Sequence, residues 1–99
     1  MSVPNLSPKE RMVLDLLVVN REMYGLEMVK ASPALKRGTI YVLLGRMADK
    51  GYVDSRAEKA ENMSGMPRRV FWVTGLGQRT LRAWQAADAA FGVGGEAWA

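Results

Sequence analysis

Two residue types that serve much of protein chemistry are absent from this chain of 99 residues, which has no cysteine and no histidine. Without cysteine there is no disulfide and no thiolate for catalysis or metal binding. Without histidine, a Ser-His-Asp triad and imidazole metal sites are excluded as well. The sequence also shows no phosphate-binding glycine loop and no paired carboxylates suited to acid–base catalysis. We therefore expect a protein that is not an enzyme and that binds no metal or cofactor.

Long hydrophobic runs are missing too. No apolar run approaches the roughly 20 residues of a membrane-spanning helix, and the first residues lack the basic-then-apolar pattern of a signal peptide. Hydrophobic residues make up 48% of the chain and charged residues 24%, as is ordinary for a globular domain with one modest core. The expectation is a cytoplasmic protein without a membrane partner.

The net charge of +4 is unevenly distributed along the sequence. Residues 30–82 carry eleven Lys and Arg residues against four Asp and Glu residues, a net charge of +7, whereas residues 1–29 carry −1 and residues 83–99 carry −2. A basic middle between weakly acidic ends suits a protein that presents one surface to a polyanion. A solvated basic surface without a nucleic-acid partner would have the same composition, so charge favours DNA binding only slightly.

The first helix has a clear start. Ser7 is placed to cap it, Pro8 suits the first helical position, and Glu10 completes a capping box three residues after Ser7. The helix continues through Val19 and is apolar on nearly every side, which is broader than the stripe of a surface helix in a small monomer. We therefore expect it to contact its own core and a second subunit; a central core helix of a monomer is the alternative.

A short second helix is predicted over residues 24–30, with Leu26 and Val29 facing inward. It ends before Pro33, whose ring disfavours the helical conformation at Ser32.

The third helix, predicted over residues 36–50, has two faces and ends at Gly51. Its apolar stripe consists of Ile40, Leu43, Leu44 and Met47. The other side carries residues that can contact phosphates and base edges, namely Arg37, Thr39, Tyr41, Val42 and Arg46. Lys36 and Arg37 lie where the helix dipole is already positive, at a cost of up to about 1 kcal/mol each. An anion docked there would turn that cost into attraction. The second and third helices, joined by a short turn, are a helix-turn-helix candidate.

The next elements predict a wing. Residues 52–58 alternate as a strand, residues 59–67 form a loop, and residues 68–74 are rich in β-branched and aromatic side chains. Thr74 is then predicted to cap a last helix that runs from Gly75 to about Phe91.

This last helix has an apolar stripe of Leu81, Trp84, Ala87 and Phe91. A second stripe of small residues, which suit close packing against a partner, consists of Ala83, Ala86 and Ala90. The glycines at 92, 94 and 95 are expected to break it. The order of elements predicts a mainly α fold of the α+β class, a winged helix-turn-helix with a C-terminal dimerisation helix. The expected boundaries are 1–75 for the DNA-binding domain, 76–91 for the dimerisation helix and 92–99 for a flexible tail.

Four pieces of the sequence carry a family resemblance. They are Tyr24-Gly25-Leu26-Glu27, residues 38–47 with Lys50-Gly51-Tyr52-Val53, residues 68–74, and Gly77. In this order and spacing, over roughly residues 7–85, the chain resembles the PadR family of bacterial transcriptional regulators. The resemblance implies a homodimer that binds a palindromic operator and represses transcription. It also implies a C-terminal helix packed against the partner, and often a response to phenolic acids, drugs or other aromatic effectors.

Two departures from the family pattern lie in the third helix. Members commonly have a small polar residue and then Pro where this chain has Lys36 and Arg37, which we interpret as stronger attraction for phosphate. Val42 stands where Pro or a polar residue is common, and its side chain could contact a thymine methyl or simply be tolerated.

The predicted DNA-contacting residues are Lys36, Arg37, Gly38, Thr39, Tyr41, Val42, Arg46, Arg68 and Arg69. A phosphate is expected to meet the first two side chains and the backbone amides near Gly38 and Thr39. Ring packing is the rival role for Tyr41, and a solvated side chain is as good a role for Arg46. Neighbours alternate on a strand, so at least one of the two wing arginines is expected to point away from DNA.

Trp84 is the candidate ligand-binding residue, because a tryptophan facing its symmetry mate could stack on a flat aromatic effector. A purely structural role is the favoured interpretation. For the whole chain, the leading hypothesis is a repressor that binds double-stranded DNA as a homodimer. The alternative is a winged-helix module that docks an acidic protein partner and has no sequence-specific DNA binding.

Overall fold

Seven elements follow one another in the computed structural model, which describes residues 6–58 and 68–98, with side chains described up to Ala89. They are α1 (Pro8–Asn20), β1 (Glu22–Tyr24), α2 (Gly25–Ala31), α3 (Ile40–Asp49), β2 (Val53–Glu58), β3 (Arg68–Val73) and α4 (Gly75–Trp98). The predicted wing loop over residues 59–67 lies outside the described residues. The expected winged helix-turn-helix arrangement is confirmed.

Helix α1 begins with the predicted capping box. The Glu10 amide donates to Ser7 Oγ at 3.2 Å, and the Ser7 amide donates to Glu10 Oε1 at 2.9 Å. The second oxygen of Glu10 accepts from Lys50 Nζ at 2.8 Å, although the Glu10 side chain is only 6% exposed. Burial raises the pKa of Glu10, but the hydrogen bonds from Lys50 and Ser7 outweigh it and hold the pKa below its ordinary value. This buried carboxylate therefore joins the start of α1 to the end of α3.

One hydrophobic core receives side chains from the helices and the inner face of the sheet. Its fully buried members include Val13, Leu14, Leu17, Met28, Ile40, Leu44 and Met47. The stripe predicted for α3 is confirmed, with Leu43 partly buried against the same core. The prediction that Leu26 faces inward is wrong, because Leu26 is 38% exposed and the buried residues of α2 are Gly25 and Met28. Helix α2 begins one residue later than predicted and turns its glycine, not its leucine, toward α3.

The sheet has three antiparallel strands in the order β1-β3-β2. The predicted hairpin of β2 and β3 is present, with Val53 opposite Val73 and Glu58 opposite Arg68. Strand β1 was not predicted. It is three residues long, too short to show alternation, and the chain enters it through Arg21, whose φ of +66° turns the backbone out of α1.

The junction of α3, β3 and α4 is closely packed. Thr74 caps α4 as predicted, accepting from the Gly77 amide at 3.0 Å, and its hydroxyl donates to the Gly51 carbonyl at 2.5 Å. The Thr74 amide donates to the Tyr52 carbonyl at 3.0 Å. A Cβ on Gly77 would lie 2.1 Å from that same carbonyl oxygen, so only glycine permits this approach. The start of α4 is thus fixed to the end of α3.

Helix α4 is longer than the sequence predicted. The expected end near Phe91 and the break at the glycines of residues 92–95 are wrong, because α4 continues to Trp98. Each glycine costs a helix about 1 kcal/mol relative to alanine, but it keeps its backbone N–H and can continue the hydrogen-bond ladder. No helix among the described residues is long and apolar enough to span a membrane.

Candidate nucleic-acid interface

Helix α3 presents one continuous exposed face. Ile40, Leu44 and Met47 are buried, which turns the residues between them away from the core. Tyr41 is 53% exposed and Val42 is 59% exposed, and the side chain of Arg46 is exposed one turn later. The structure therefore places these predicted residues together on one accessible surface.

The segment before α3 differs from its prediction. The helix begins at Ile40, with Thr39 as N-cap, and Lys36 to Thr39 form a turn closed by hydrogen bonds from the Ile40 and Thr39 amides to the Lys36 carbonyl at 2.9 and 3.1 Å. Gly38 is a poor helix former, and two cations disfavour a helical first turn. Lys36 and Arg37 thus lie in the turn that leads into α3, where both are exposed.

A groove of about 220 Å³ lies beside α3 and brings together cations from α1, from α3 and from the turn before α3. Lys36 and Arg46 line it, and so does Lys9 from the first turn of α1. Sequence reasoning missed Lys9 because it lies outside the basic segment of residues 30–82 and reaches the groove only through the packing of α1 beside α3. Within the described residues, none of these three cations, nor Arg37, forms an ion pair.

The ring of Tyr41 packs against the start of α2. A Cβ built on Gly25 would lie 2.9 Å from Tyr41 Cε1 and 3.2 Å from its hydroxyl oxygen. The ring therefore uses the space that the glycine leaves, while about half of the side chain stays exposed. The ring and its hydroxyl both lie beside Gly25, so the structure shows the packing role, and a phosphate contact of the hydroxyl stays a prediction.

The two wing arginines lie on opposite faces of β3, as neighbours on a strand must. The Arg69 Nη1 donates to Ser55 Oγ at 3.1 Å on the face that continues the core side. The Arg68 guanidinium lies 5.4 Å from the ring centroid of Tyr24 on the other face. The two side chains therefore diverge, as the alternation along a strand predicted, and which of them faces DNA stays a prediction.

A third wing cation, Arg56, is held by acidic neighbours. Its Nη2 lies 3.0 Å from a Glu22 oxygen and 3.3 Å from Glu58 Oε2. The hydrogen bond to Glu22 raises the pKa of Arg56 above its ordinary value. The positive charge of Arg56 is thus compensated within the chain.

Trp84, the candidate ligand-binding residue, is half-buried on α4. The Arg11 guanidinium lies 4.0 Å from its ring centroid, and Arg11 is itself 3.8 Å from an Asp88 oxygen. One face of the indole is therefore covered within the protomer. A larger open groove of about 790 Å³ lies between α1, the sheet and α4, and it is lined by Trp72, Val18 and Leu81 instead.

Comparison with known proteins agrees with this architecture. Residues 13–83 match the model of the transcriptional regulator PadR-like family. No curated protein is similar enough in sequence to match.

Solved structures of similar shape include three regulators of this family. One from Eggerthella lenta has a TM-score of 0.75 at 24% identity, covering 89% of this chain and 78% of that one. One from Clostridium difficile has a TM-score of 0.73 at 24% identity, covering 89% and 94%. A PadR-like factor from Bacteroides fragilis has a TM-score of 0.79 at 20% identity, covering 92% and 89%. At these identities the structural similarity shows the fold. The family model matches most of the sequence, so the chain belongs to the PadR-like family of transcriptional regulators.

Proposed function

We propose that this regulator binds palindromic operator DNA as a homodimer and represses transcription, with α3 in the major groove and the wing beside it. The observation that carries the proposal is the exposed face of α3. Its cations are free of ion pairs within the described residues, whereas Arg56 on the sheet is paired with carboxylates. Unpaired cations beside an accessible helix face suit the release of counterions from a polyanion.

The side chains divide by the contacts they suit. Lys9, Lys36 and Arg37 flank the start of α3 and suit phosphates, which fix register without reading sequence. Val42 and Arg46 point outward from the helix itself, where an apolar group can meet a thymine methyl and a guanidinium can meet a guanine edge. Two such helices in a dimer would read half-sites whose centres are roughly 34 Å apart.

The test is the Arg37→Ala variant, titrated with duplex DNA from the promoter of its own gene over a range of salt concentrations. We expect about tenfold weaker binding, because a hydrogen bond between charged groups is lost, and a salt slope reduced by about 1. Arg82→Ala is the matched control, because it removes an exposed arginine on α4.

Equal binding and equal slope in the two variants would reject this role of Arg37. If the unmodified protein shows no preference for the promoter over bulk DNA, a module that docks an acidic protein is the better assignment.

The homodimer is proposed to form through α1 and α4. Val18 and Val19 are 50% and 79% exposed at the end of α1, and Ala83 and Ala86 are exposed on α4. Burial of this apolar surface on a second copy would be favourable by about 25 cal/mol per Å². In sedimentation equilibrium, Val19→Asp should shift the mass toward the monomer, whereas Asn20→Asp, which adds the same charge at a polar exposed position, should not.

An aromatic effector is proposed to act on this assembly by binding in the groove lined by Trp72. A phenolic acid titrated into the protein–DNA complex should release the DNA. In the free protein it should quench tryptophan fluorescence in Trp84→Phe but not in Trp72→Phe. The reverse pattern would assign the site to Trp84, as the sequence first suggested.

A further inference from the structure

The outward face of the sheet carries a cluster that the proposed DNA contacts do not use. The sheet cluster consists of Glu22 and Tyr24 from β1, Arg56 and Glu58 from β2, and Arg68 from β3. Their register places them on one face, because Tyr24 and Arg56 both pair with Val70, and Glu58 pairs with Arg68. These side chains are two residues apart along their strands, as the pleat requires.

The cluster joins two strands that are not neighbours. Strands β1 and β2 flank β3, so they lie about 10 Å apart, two strand spacings. The Tyr24 hydroxyl donates to Glu58 Oε1 across this gap, and Arg56 Nη2 donates to both oxygens of Glu22 at 3.0 and 3.1 Å. Val70 beneath them is only 4% exposed although its side chain lies on the face of β3 opposite to that of the core residue Phe71. The cross-links therefore cover the sheet and fix β2 against β1.

Tyr24 occupies the point where this cluster meets the helix-turn-helix. Its backbone amide donates to Glu27 Oε1 at 2.7 Å, which satisfies a free amide at the start of α2. The next residue, Gly25, leaves the space in which the ring of Tyr41 packs. Tyr24 thus contacts Glu58 and Arg68, the last described pair of residues in the wing. Gly25 lies against Tyr41 on the exposed face of α3.

The hydrogen bond to Glu58 raises the pKa of the Tyr24 phenol above its ordinary value. Arg68 lies over the same ring at 5.4 Å. The phenol therefore has a contact with each of the two wing strands.

We propose that Tyr24 is a positioning residue that sets the place of the wing relative to α3, acting through Glu58. The effect on DNA binding rests on the function proposed above, whereas the placement of the wing exists in the free protein. The experiment separates the two.

The first measurement is hydrogen exchange of the free protein. Tyr24→Phe keeps the ring and removes the hydroxyl, and we expect the amides of β2 and β3 next to the wing loop to exchange about tenfold faster, as befits the loss of a hydrogen bond to a charged group. Exchange in α1 should not change.

Tyr52→Phe, which removes a tyrosine hydroxyl outside the cluster, is the control. Glu58→Ala should reproduce the effect and Glu58→Gln, which retains an acceptor, should restore most of the protection. Unchanged wing exchange in both Tyr24→Phe and Glu58→Ala overturns the proposal.

The second measurement is affinity for the promoter duplex. Tyr24→Phe should weaken binding about threefold to tenfold in the unmodified chain and in Lys36→Ala. It should cause no further loss in Arg69→Ala, which removes the DNA contact predicted for Arg69 in the wing. A fully additive loss in Arg69→Ala overturns a route through the wing. Faster wing exchange in a chain that shows no DNA preference supports the positioning role and rejects the proposed function instead.

Discussion

Two basic surfaces of this small chain differ in what surrounds their charges. The four cations beside α3 have no ion pair among the described residues; they are Lys9, Lys36, Arg37 and Arg46. On the sheet, Arg56 has carboxylates at 3.0 and 3.3 Å, and Arg68 lies over the ring of Tyr24.

The difference teaches that the number of cations is a poor guide to an interface with a polyanion. The counterions whose release favours binding are condensed on the DNA, and a protein cation releases them only when it neutralises a phosphate. A paired cation must first give up its carboxylates to do so. Cations left without a partner mark the surface better, and here they surround the outward face of one helix.

The largest expected effect follows from removing three of the unpaired charges together. The triple change Lys9→Ala, Lys36→Ala and Arg37→Ala should reduce the salt slope by about 2.7 and the DNA affinity by about 100-fold to 1,000-fold, because each lost phosphate contact removes about 0.9 from the slope. Arg56→Gln on the sheet should leave the slope within about 0.5 of the unmodified value. Fluorescence anisotropy at several salt concentrations measures both. An equal fall in slope for Arg56→Gln would erase the distinction between the two surfaces.

Lys50 provides an intermediate test, because it ends α3 but is paired with the buried Glu10 at 2.8 Å. Lys50→Ala should lower the free energy of unfolding by about 1–2 kcal/mol, since it leaves a poorly solvated carboxylate without its partner. It should not change the salt slope of DNA binding. Urea denaturation measures the free energy of unfolding, and DNA titration measures the salt slope. Unchanged stability with a smaller slope would assign Lys50 to the DNA-binding surface.

The same pair predicts a pH dependence. The pKa of Glu10 in the folded protein lies below its ordinary value because Lys50 and Ser7 hydrogen-bond to the carboxylate, so its contribution to stability is complete above the unfolded pKa and is lost as the pH falls through the folded pKa. Glu10→Gln should therefore be less stable at neutral pH and should lose less stability than the unmodified chain between about pH 5 and pH 3. Parallel curves for the two proteins would show that this carboxyl does not titrate differently on folding.

The smallest effect is expected at Gly45, on the exposed side of α3. No atom lies within 4 Å of a Cβ built there, so Gly45→Ala should stabilise the free protein by about 0.5–1 kcal/mol through helix propensity. If DNA packs against this side, the added methyl should weaken binding about fivefold, as overpacking does in a close contact. Gly75→Ala at the start of α4 should leave DNA binding unchanged. Thermal unfolding measures the expected gain in stability, and fluorescence anisotropy measures the expected loss of DNA affinity. Stronger binding by Gly45→Ala would show that DNA does not pack against this side of α3.

Signals confined to a few neighbouring residues were sufficient for much of the fold. The Ser7 cap, the apolar stripe of α3, the hairpin and the Thr74 cap each depend on spacing within one element, and the structure confirms them. Of the candidate site, the exposed positions of α3 and the divergence of Arg68 and Arg69 followed from the same periodicities.

Features that depend on tertiary packing were not predictable in this way. Strand β1 exists because β3 offers it a partner, not because three residues favour a strand. Lys9 joins the cationic groove because α1 packs beside α3. The glycines of residues 92–95 suggested a break, but α4 continues through them because glycine weakens a helix without blocking its hydrogen bonds.

The junction at Thr74 has a geometric consequence for regulation. Because Thr74 bonds to both Gly51 and Gly77, and the Gly77 backbone approaches the Tyr52 carbonyl without space for a methyl, we expect α3 and α4 to rotate together. In the proposed dimer, the angle at which the two α4 helices cross then sets the distance between the two recognition helices. A rotation of about 10° acting over an arm of roughly 30 Å, the length of 20 helical residues, displaces the far end by about 5 Å. This exceeds the rise of about 3.4 Å between successive bases of a strand, so a small change in the crossing angle would suffice to shift one half of the dimer out of step with its half-site.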